Sequence, residues 1–330
     1  MSKKLLIACS LGLLLSAAPV SAQPFHVPPV QVAEPGPTGR RVIDGGLVGN
    51  YFPAGRAAPA VLLLGGSEGG LGEGVKQMAL ILQREGYSVL QLSYFRSPGQ
   101  SARLEHVPLE YFAKAVDWLK LQPEVDPRRV AIIGGSKGAE AALLVASRRS
   151  DIRAVVAAMP SSVIWPGISW DGPPGDIGSS WAERGRPLAH LPYGRPTAPP
   201  LNIAAVHSEG LAHLGEHPEA AIKVERIRSP ILLVCGEADT LWPSCAMGRQ
   251  VQARAGRHRG PKVTLLAYRD AGHGVLGPPL PPNHPRVAAL AAQGGSPEGN
   301  NAARADGWPK ILDFLKATLG QVHRQRGERR

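Results

Sequence analysis

The sequence predicts an α/β fold, a mostly parallel sheet flanked by helices with a cap inserted between strands. Three observations predict it. Short unbroken apolar runs alternate with segments of helical period, as in parallel sheets covered on both faces. A glycine-framed serine lies between one such run and a good helix-forming stretch. Between residues 160 and 229 the rhythm breaks for about seventy residues rich in Pro and Gly, too long for an ordinary connection.

The elements follow in order. Ala60 to Leu64 (AVLLL) is a buried strand ending in Gly65-Gly66, and Tyr87 to Leu92 is a second. Leu109, Phe112, Val116 and Leu119 recur at helical spacing and mark a helix that stops before Pro123. Arg129 to Gly134, Ala154 to Ala158, Ile231 to Cys235 and Val263 to Ala267 read as four further strands. Ile311, Leu312, Leu315 and Leu319 give a final helix. The irregular segment carries Trp165, Trp170 and Trp181, three of the six tryptophans, which favours a folded cap over a linker. Gln23 to Gly39 is Pro-rich and lacks an apolar period, so it reads as a flexible lead-in. The expected organisation is a signal peptide (1–22), a lead-in (23–58), one domain (59–320) with the cap at 160–229, and a basic tail (321–330).

The first 22 residues have two lysines, an apolar run from Leu5 to Leu15, and small residues before Gln23, the grammar of a secretory signal. The run is shorter than the roughly 20 residues a membrane span needs, so the expected product is exported, starts at Gln23 and has no integral span. Of the net charge of +11, two units lie in that segment and three in the last eight residues, leaving +6 on the body. A charge so thinly spread is not a nucleic-acid footprint. Cys235 and Cys245 would meet an oxidising compartment; a bridge and two buried thiols are both compatible with their spacing.

Gly134-Gly135-Ser136-Lys137-Gly138 is G-x-S-x-G, preceded by the strand RVAIIG and followed by the helix former KGAEAALLVAS. That context defines a nucleophile elbow, and with it an α/β-hydrolase fold. The turn strains the serine backbone, and Gly134 and Gly138 leave room where a β-carbon would clash. A serine needs a base, and the base needs an orienting acid. The strand ILLVC ends in Gly236-Glu237-Ala238-Asp239, and VTLLAY is followed by Asp270 and then Gly272-His273-Gly274. His273 is the expected base and Asp239 the expected acid, with Glu237 and Asp270 as weaker rivals. Backbone donors for the oxyanion are expected from Lys137 N–H and from Ser67 N–H in the loop Gly65 to Gly70. That loop lacks the Lys-Ser/Thr ending of a phosphate-binding loop, so no nucleotide cofactor is expected. His213-Leu214-Gly215-Glu216-His217 spells H-x-x-E-H, but Gly215 and Pro218 spoil the helix that motif requires, and no metal is expected. Trp165, Trp170, Trp181 and Trp242 are expected to line an apolar acyl pocket.

Leu109 to Ser147 (LEYFAKAVDWLKLQPEVDPRRVAIIGGSKGAEAALLVAS), CGEADTLWPS at 235–244, AGHG at 271–274, GGSPEGNNAARADGWPKILDFLK at 294–316 and SSWAERGRPLAHLPYG in the cap resemble one family. It is the acyl-CoA thioester hydrolase and bile acid-CoA:amino acid N-acyltransferase family, and the resemblance is to its catalytic domain, over about Ala60 to Leu319. By matching position, the resemblance implies Ser136 as nucleophile, Asp239 as acid and His273 as base. Amino-acid-conjugating members carry Cys where this chain has Ser136, which favours water as the acyl acceptor. Animal members carry an amino-terminal β-sandwich, for which Gln23 to Ala58 is too short. Acyl-CoA is cytosolic, so export would separate the enzyme from that substrate. The expected activity is hydrolysis of acyl thioesters or esters through an acyl-enzyme. The alternatives are a peptidase or acylaminoacyl hydrolase, acyl transfer to an amine, and an envelope-binding module on a hydrolase scaffold.

Overall fold

The computed structural model describes residues 29–170, 177–195 and 202–320; the expected signal peptide and basic tail lie outside them. The chain builds β1 (Arg40–Asp44), β2 (Leu47–Phe52), β3 (Ala58–Leu64), α1 (Glu73–Arg84), β4 (Ser88–Ser93), β5 (Val107–Pro108), α2 (Leu109–Lys120), β6 (Val125–Gly135), α3 (Lys137–Ala146) and β7 (Ala154–Ala158). It continues with β8 (Trp181–Glu183), β9 (Arg186–Pro187), α4 (Ile203–Ala212), β10 (Ile231–Gly236), α5 (Ser244–Arg257), β11 (Val263–Tyr268) and α6 (Pro297–Leu319).

Eight strands form one sheet in the order β1-β2-β4-β3-β6-β7-β10-β11. β1 and β2 pair antiparallel, as do β2 and β4, and every other pair is parallel. β3 and β7 are buried along their whole length, because helices cover both faces of the parallel part. One core packs α2 and α3 on one face, with Phe112, Leu143 and Trp181; the other packs α1 and α6, with Leu82, Trp308 and Leu315. Among the described residues no helix is long and apolar enough to cross a membrane.

Three features depart from the sequence expectation. Arg40 to Phe52, within the expected lead-in, supplies two sheet strands; Leu47, Tyr51 and Phe52 are fully buried. The final helix starts at Pro297, capped by the Ser296 hydroxyl accepting from Gly299 N–H. It contains Pro309 and is polar over its first turns, so apolar period revealed only its end. The described part of 160–229 is folded, but it shares the body's interior. β8 and β9 join β5 in a small sheet, and Trp181 packs in the same core as Phe112 and Tyr94.

Candidate active site

Ser136 terminates β6 and starts α3, with φ 55° and ψ −122°, a left-handed conformation that a non-glycine residue adopts only when its surroundings impose it. Close packing imposes it here. A β-carbon on Gly134 would lie 2.1 Å from the Gly138 carbonyl oxygen, and one on Gly138 would lie 2.2 Å from that of Gly65. Both glycines are therefore required for the turn to press against the β3 end. The turn presents Ser136 to a cavity of about 430 Å³, which His273 also lines.

Asp239, past the end of β10, is buried and fully engaged. Its Oδ1 accepts from Leu241 and Trp242 N–H, and its Oδ2 accepts from Ser244 Oγ–H at 2.7 Å. The same Oδ2 lies 2.8 Å from His273 Nδ1, which fixes the proton on Nδ1 and leaves Nε2 as the ring's acceptor. Nε2 has no partner among the described residues. Glu237 instead forms an exposed pair with Arg249, and Asp270 contributes backbone contacts to the turn before α6. Cys235 and Cys245 are joined by a disulfide, with Cα atoms 5.2 Å apart. The bridge closes the loop that carries Asp239.

Lys137 is the first residue of α3, so its N–H has no acceptor one helical turn back. Ser67 lies across the cavity mouth in the loop after β3. Tyr94 Oη–H donates to the Gly65 and Gly66 carbonyls, Trp170 Nε1–H to the Ser67 carbonyl, and Arg96 to the Glu68 carbonyl. These bonds engage the loop carbonyls and hold the loop's conformation.

The four tryptophans do not form the pocket expected of them. None lines the cavity, whose apolar walls include Met78, Leu241, Leu276 and Leu290. Trp165 and Trp181 are fully buried, because rings of that size contribute most to the core when wholly covered. Trp170 steadies the Ser67 loop, and Trp242 packs edge-on to His273 with ring centres 5.9 Å apart. His213 and His217 lie beyond the end of α4, with His213 paired to Glu216, so they do not share a helical face.

Three features escaped sequence reasoning. Glu68 opens onto the cavity and accepts from Gly66 N–H. The same glycine separates it from Ser136: a β-carbon on Gly66 would lie 2.9 Å from Glu68 Oε2 and 3.1 Å from Ser136 Cβ. Beneath the elbow, Lys137 Nζ donates to Glu140 Oε2 at 2.9 Å, and both side chains are buried. Burial pushes Glu140 up and Lys137 down, each against the pull of its partner. Finally, Arg286 and Arg304 line the cavity. Glu140 had left a mark, a carboxylate in an otherwise apolar helix; the arginines had left none.

A serine on a strained strand-to-helix turn, opposite a histidine bonded to a buried aspartate at the ends of parallel strands, defines the α/β-hydrolase class. Solved structures agree on the fold. An esterase from Pyrococcus furiosus superposes with TM-score 0.53 at 18% identity, covering 89% of this chain and 100% of that one. A puromycin-hydrolyzing peptidase of Mycobacterium tuberculosis gives TM-score 0.56 at 16% identity, covering 86% of this chain and 39% of that one. The family model described as BAAT / Acyl-CoA thioester hydrolase C terminal matches residues 107–170 and 200–321, more than half of the chain, and the chain belongs to that family. Acyl-coenzyme A thioesterase 1 of Rattus norvegicus is 27% identical over 277 residues, 79% of this chain and 60% of the relative. Mitochondrial acyl-coenzyme A thioesterase 2 of Homo sapiens is 27% identical over 275 residues, 79% of this chain and 53% of the relative. The chain thus spans little more than half the length of these relatives.

Proposed function

We propose that this chain is an exported serine hydrolase that cleaves acyl thioesters or esters through an acyl-enzyme. The observation that carries the proposal is the buried His273 Nδ1 to Asp239 Oδ2 bond of 2.8 Å, which leaves Nε2 on the cavity shared with Ser136. His273 Nε2 takes the Ser136 hydroxyl proton as Oγ attacks the carbonyl carbon, and Asp239 steadies the imidazolium that forms. No hydrogen bond joins Ser136 Oγ to His273 Nε2 in the resting geometry; such bonds commonly form only around bound substrate. Lys137 N–H and Ser67 N–H receive the oxyanion, each donor worth ~2.7 to 4 kcal/mol. Collapse expels the thiol or alcohol, which takes the proton from His273. A water deprotonated by the same nitrogen then releases the carboxylic acid and restores Ser136.

The activity named for the relatives, acyl-coenzyme A thioesterase, supports the thioester half of this reading. The disulfide supports export, since such bonds persist in oxidising compartments. Export in turn favours acyl esters or thioesters met outside the cytosol. Ser136→Ala should lower kcat on p-nitrophenyl acyl esters and acyl thioesters by at least ~10⁴-fold and abolish labelling by a fluorophosphonate, with the unfolding midpoint retained. Undiminished turnover in Ser136→Ala would refute the mechanism. Sequencing of the mature amino terminus tests export, with Gln23 as the expected first residue.

A further inference from the structure

Arg304 projects from α6 into the wall of the cavity that holds Ser136. Its Nε–H donates to the Gly274 carbonyl at 2.6 Å, beside His273. That bond uses one of the five guanidinium N–H groups and fixes the direction of the planar fork. Arg286 lines the same cavity. Among the described residues neither arginine lies within ion-pair distance of a carboxylate. Glu73 pairs with Lys76 at 2.9 Å and also feels the charge of Arg286 at longer range, while Glu68, on the same cavity, accepts from Gly66 N–H. Burial and the like charge of Arg286 draw Arg304 down to about 10, still well above neutrality, so the Arg304 guanidinium is cationic at pH 7.

Glu68 lines the same cavity, but among the described residues no ion pair joins it to either arginine. Two cations on one cavity wall repel each other, and a partly buried guanidinium without a paired counter-charge is costly. An arginine needed only to hold the Gly274 carbonyl would have no reason to be joined by a second. An anionic group entering the cavity relieves both costs and meets a fork that suits two oxygens.

We propose that Arg304 and Arg286 form an anion subsite, so that the favoured substrates carry a carboxylate or another oxyanion close to the scissile carbonyl. This rests on the serine hydrolase reading above and adds the substrate's charge. Because the arginines share the cavity with Ser136, the anion belongs to the acyl chain or to the leaving group near the reacting bond, and not to a remote headgroup.

The experiment compares kcat/KM for anionic and neutral substrates in two arms, using the full-length mature protein. Mono-p-nitrophenyl glutarate against p-nitrophenyl butyrate reports an anion on the acyl side, and 4-acetoxybenzoate against phenyl acetate reports one on the leaving-group side. In Arg304→Gln the anionic-to-neutral ratio should fall about tenfold to a hundredfold in one arm, mainly through KM, as loss of a charge-assisted hydrogen bond implies. Arg304→Lys should keep part of the ratio, and Arg286→Gln, at an exposed residue, should lower it by a smaller factor. Damage to the fold would reduce both substrates of a pair together and leave the ratio where it was. Calorimetric binding of glutarate to Ser136→Ala, with and without Arg304→Gln, supplies a readout free of turnover. If neither the anionic nor the neutral esters are hydrolysed but glutarate binding depends on Arg304, the hydrolase reading fails and the subsite stands. Ratios unchanged in both arms, with glutarate binding indifferent to Arg304, would overturn the subsite.

Discussion

Glu140 offers the most informative single perturbation of the scaffold. Its Oε1 accepts from Trp165 N–H at 3.1 Å and Trp181 Nε1–H at 2.7 Å, while its Oε2 accepts from Lys137 Nζ at 2.9 Å. In Glu140→Gln the amide oxygen can replace Oε1 and keep both tryptophan donors. The amide NH₂ then faces the Lys137 ammonium, which is left buried without a counter-charge. Breaking a buried pair from one side costs ~3 to 5 kcal/mol. Lys137→Met leaves the carboxylate in the reverse position, with a similar cost. The double variant Lys137→Met/Glu140→Gln removes both charges and leaves one amide NH₂ without a partner, about 1 to 3 kcal/mol. The singles should therefore sum to roughly 6 to 10 kcal/mol while the double loses far less, a coupling of at least about 3 kcal/mol. Urea unfolding at pH 7, read as midpoint shifts at constant m, measures each term. Two singles that each lose under about 1 kcal/mol, with an additive double, would refute the claim that charge pairing under the elbow holds these elements together.

Loss of the disulfide should be felt at the site as well as in stability. A bridge over a sequence separation of 10 contributes about 3 kcal/mol by loop entropy, so Cys245→Ser or reduction should lower stability by that order and loosen the Asp239 loop; comparing kcat with and without reductant checks the second effect. His207 should make stability pH-dependent. Burial lowers its pKa from 6.5 to about 4, with a smaller opposing contribution from its bond to the Ile203 carbonyl. The unfolded chain therefore binds the extra proton first. Stability is complete above 6.5 and is lost as pH falls towards 4, by up to about 3 kcal/mol. Unfolding midpoints measured across that window should fall steeply in the wild type and less steeply in His207→Leu; equal slopes would refute the assignment.

What could be read in advance follows from where the physics is local. Continuous apolar strands such as Ala60 to Leu64 and Ile231 to Cys235 declare themselves, because burial on both faces leaves no polar alternation. The turn at Ser136 and the strand ends carrying Asp239 and His273 were legible for the same reason, since glycines and strand termini are marked in the chain. β1 and β2 were hidden: they are antiparallel, with mixed polar and apolar residues, and their burial depends on pairing with β4. The tryptophans show the opposite failure. Composition suggested a folded segment, but whether a ring lines a cavity or fills a core depends on neighbours such as Tyr94 and Phe112, far away in sequence. Arg286 and Arg304 were silent, because a surface-type residue, in a turn as Arg286 is or in a helix as Arg304 is, carries no local sign of the cavity it faces.

The two halves of the site are anchored to different parts of the fold, and this has a consequence for variants. Ser136 and Lys137 are tied through Glu140 to Trp165 and Trp181, in the segment following β7. Asp239 is tied to its own loop by Ser244 and the disulfide, and the His273 loop to α6 by Asn300, whose Oδ1 accepts from Gly272 N–H and whose Nδ2 donates to the Gly294 and Ser296 carbonyls. Residues 239 and 271 each bridge to the turn at Gly294 and Gly295, so acid and base share a support that the nucleophile lacks. A change such as Asn300→Ala should therefore disturb the base and its acid together while Ser136 keeps its backbone. A change at Trp181 should shift the nucleophile while the His273 to Asp239 bond persists. Fluorophosphonate labelling depends on both halves. The pH profile of labelling reports the base, and should move with Asn300→Ala but not with Trp181→Phe.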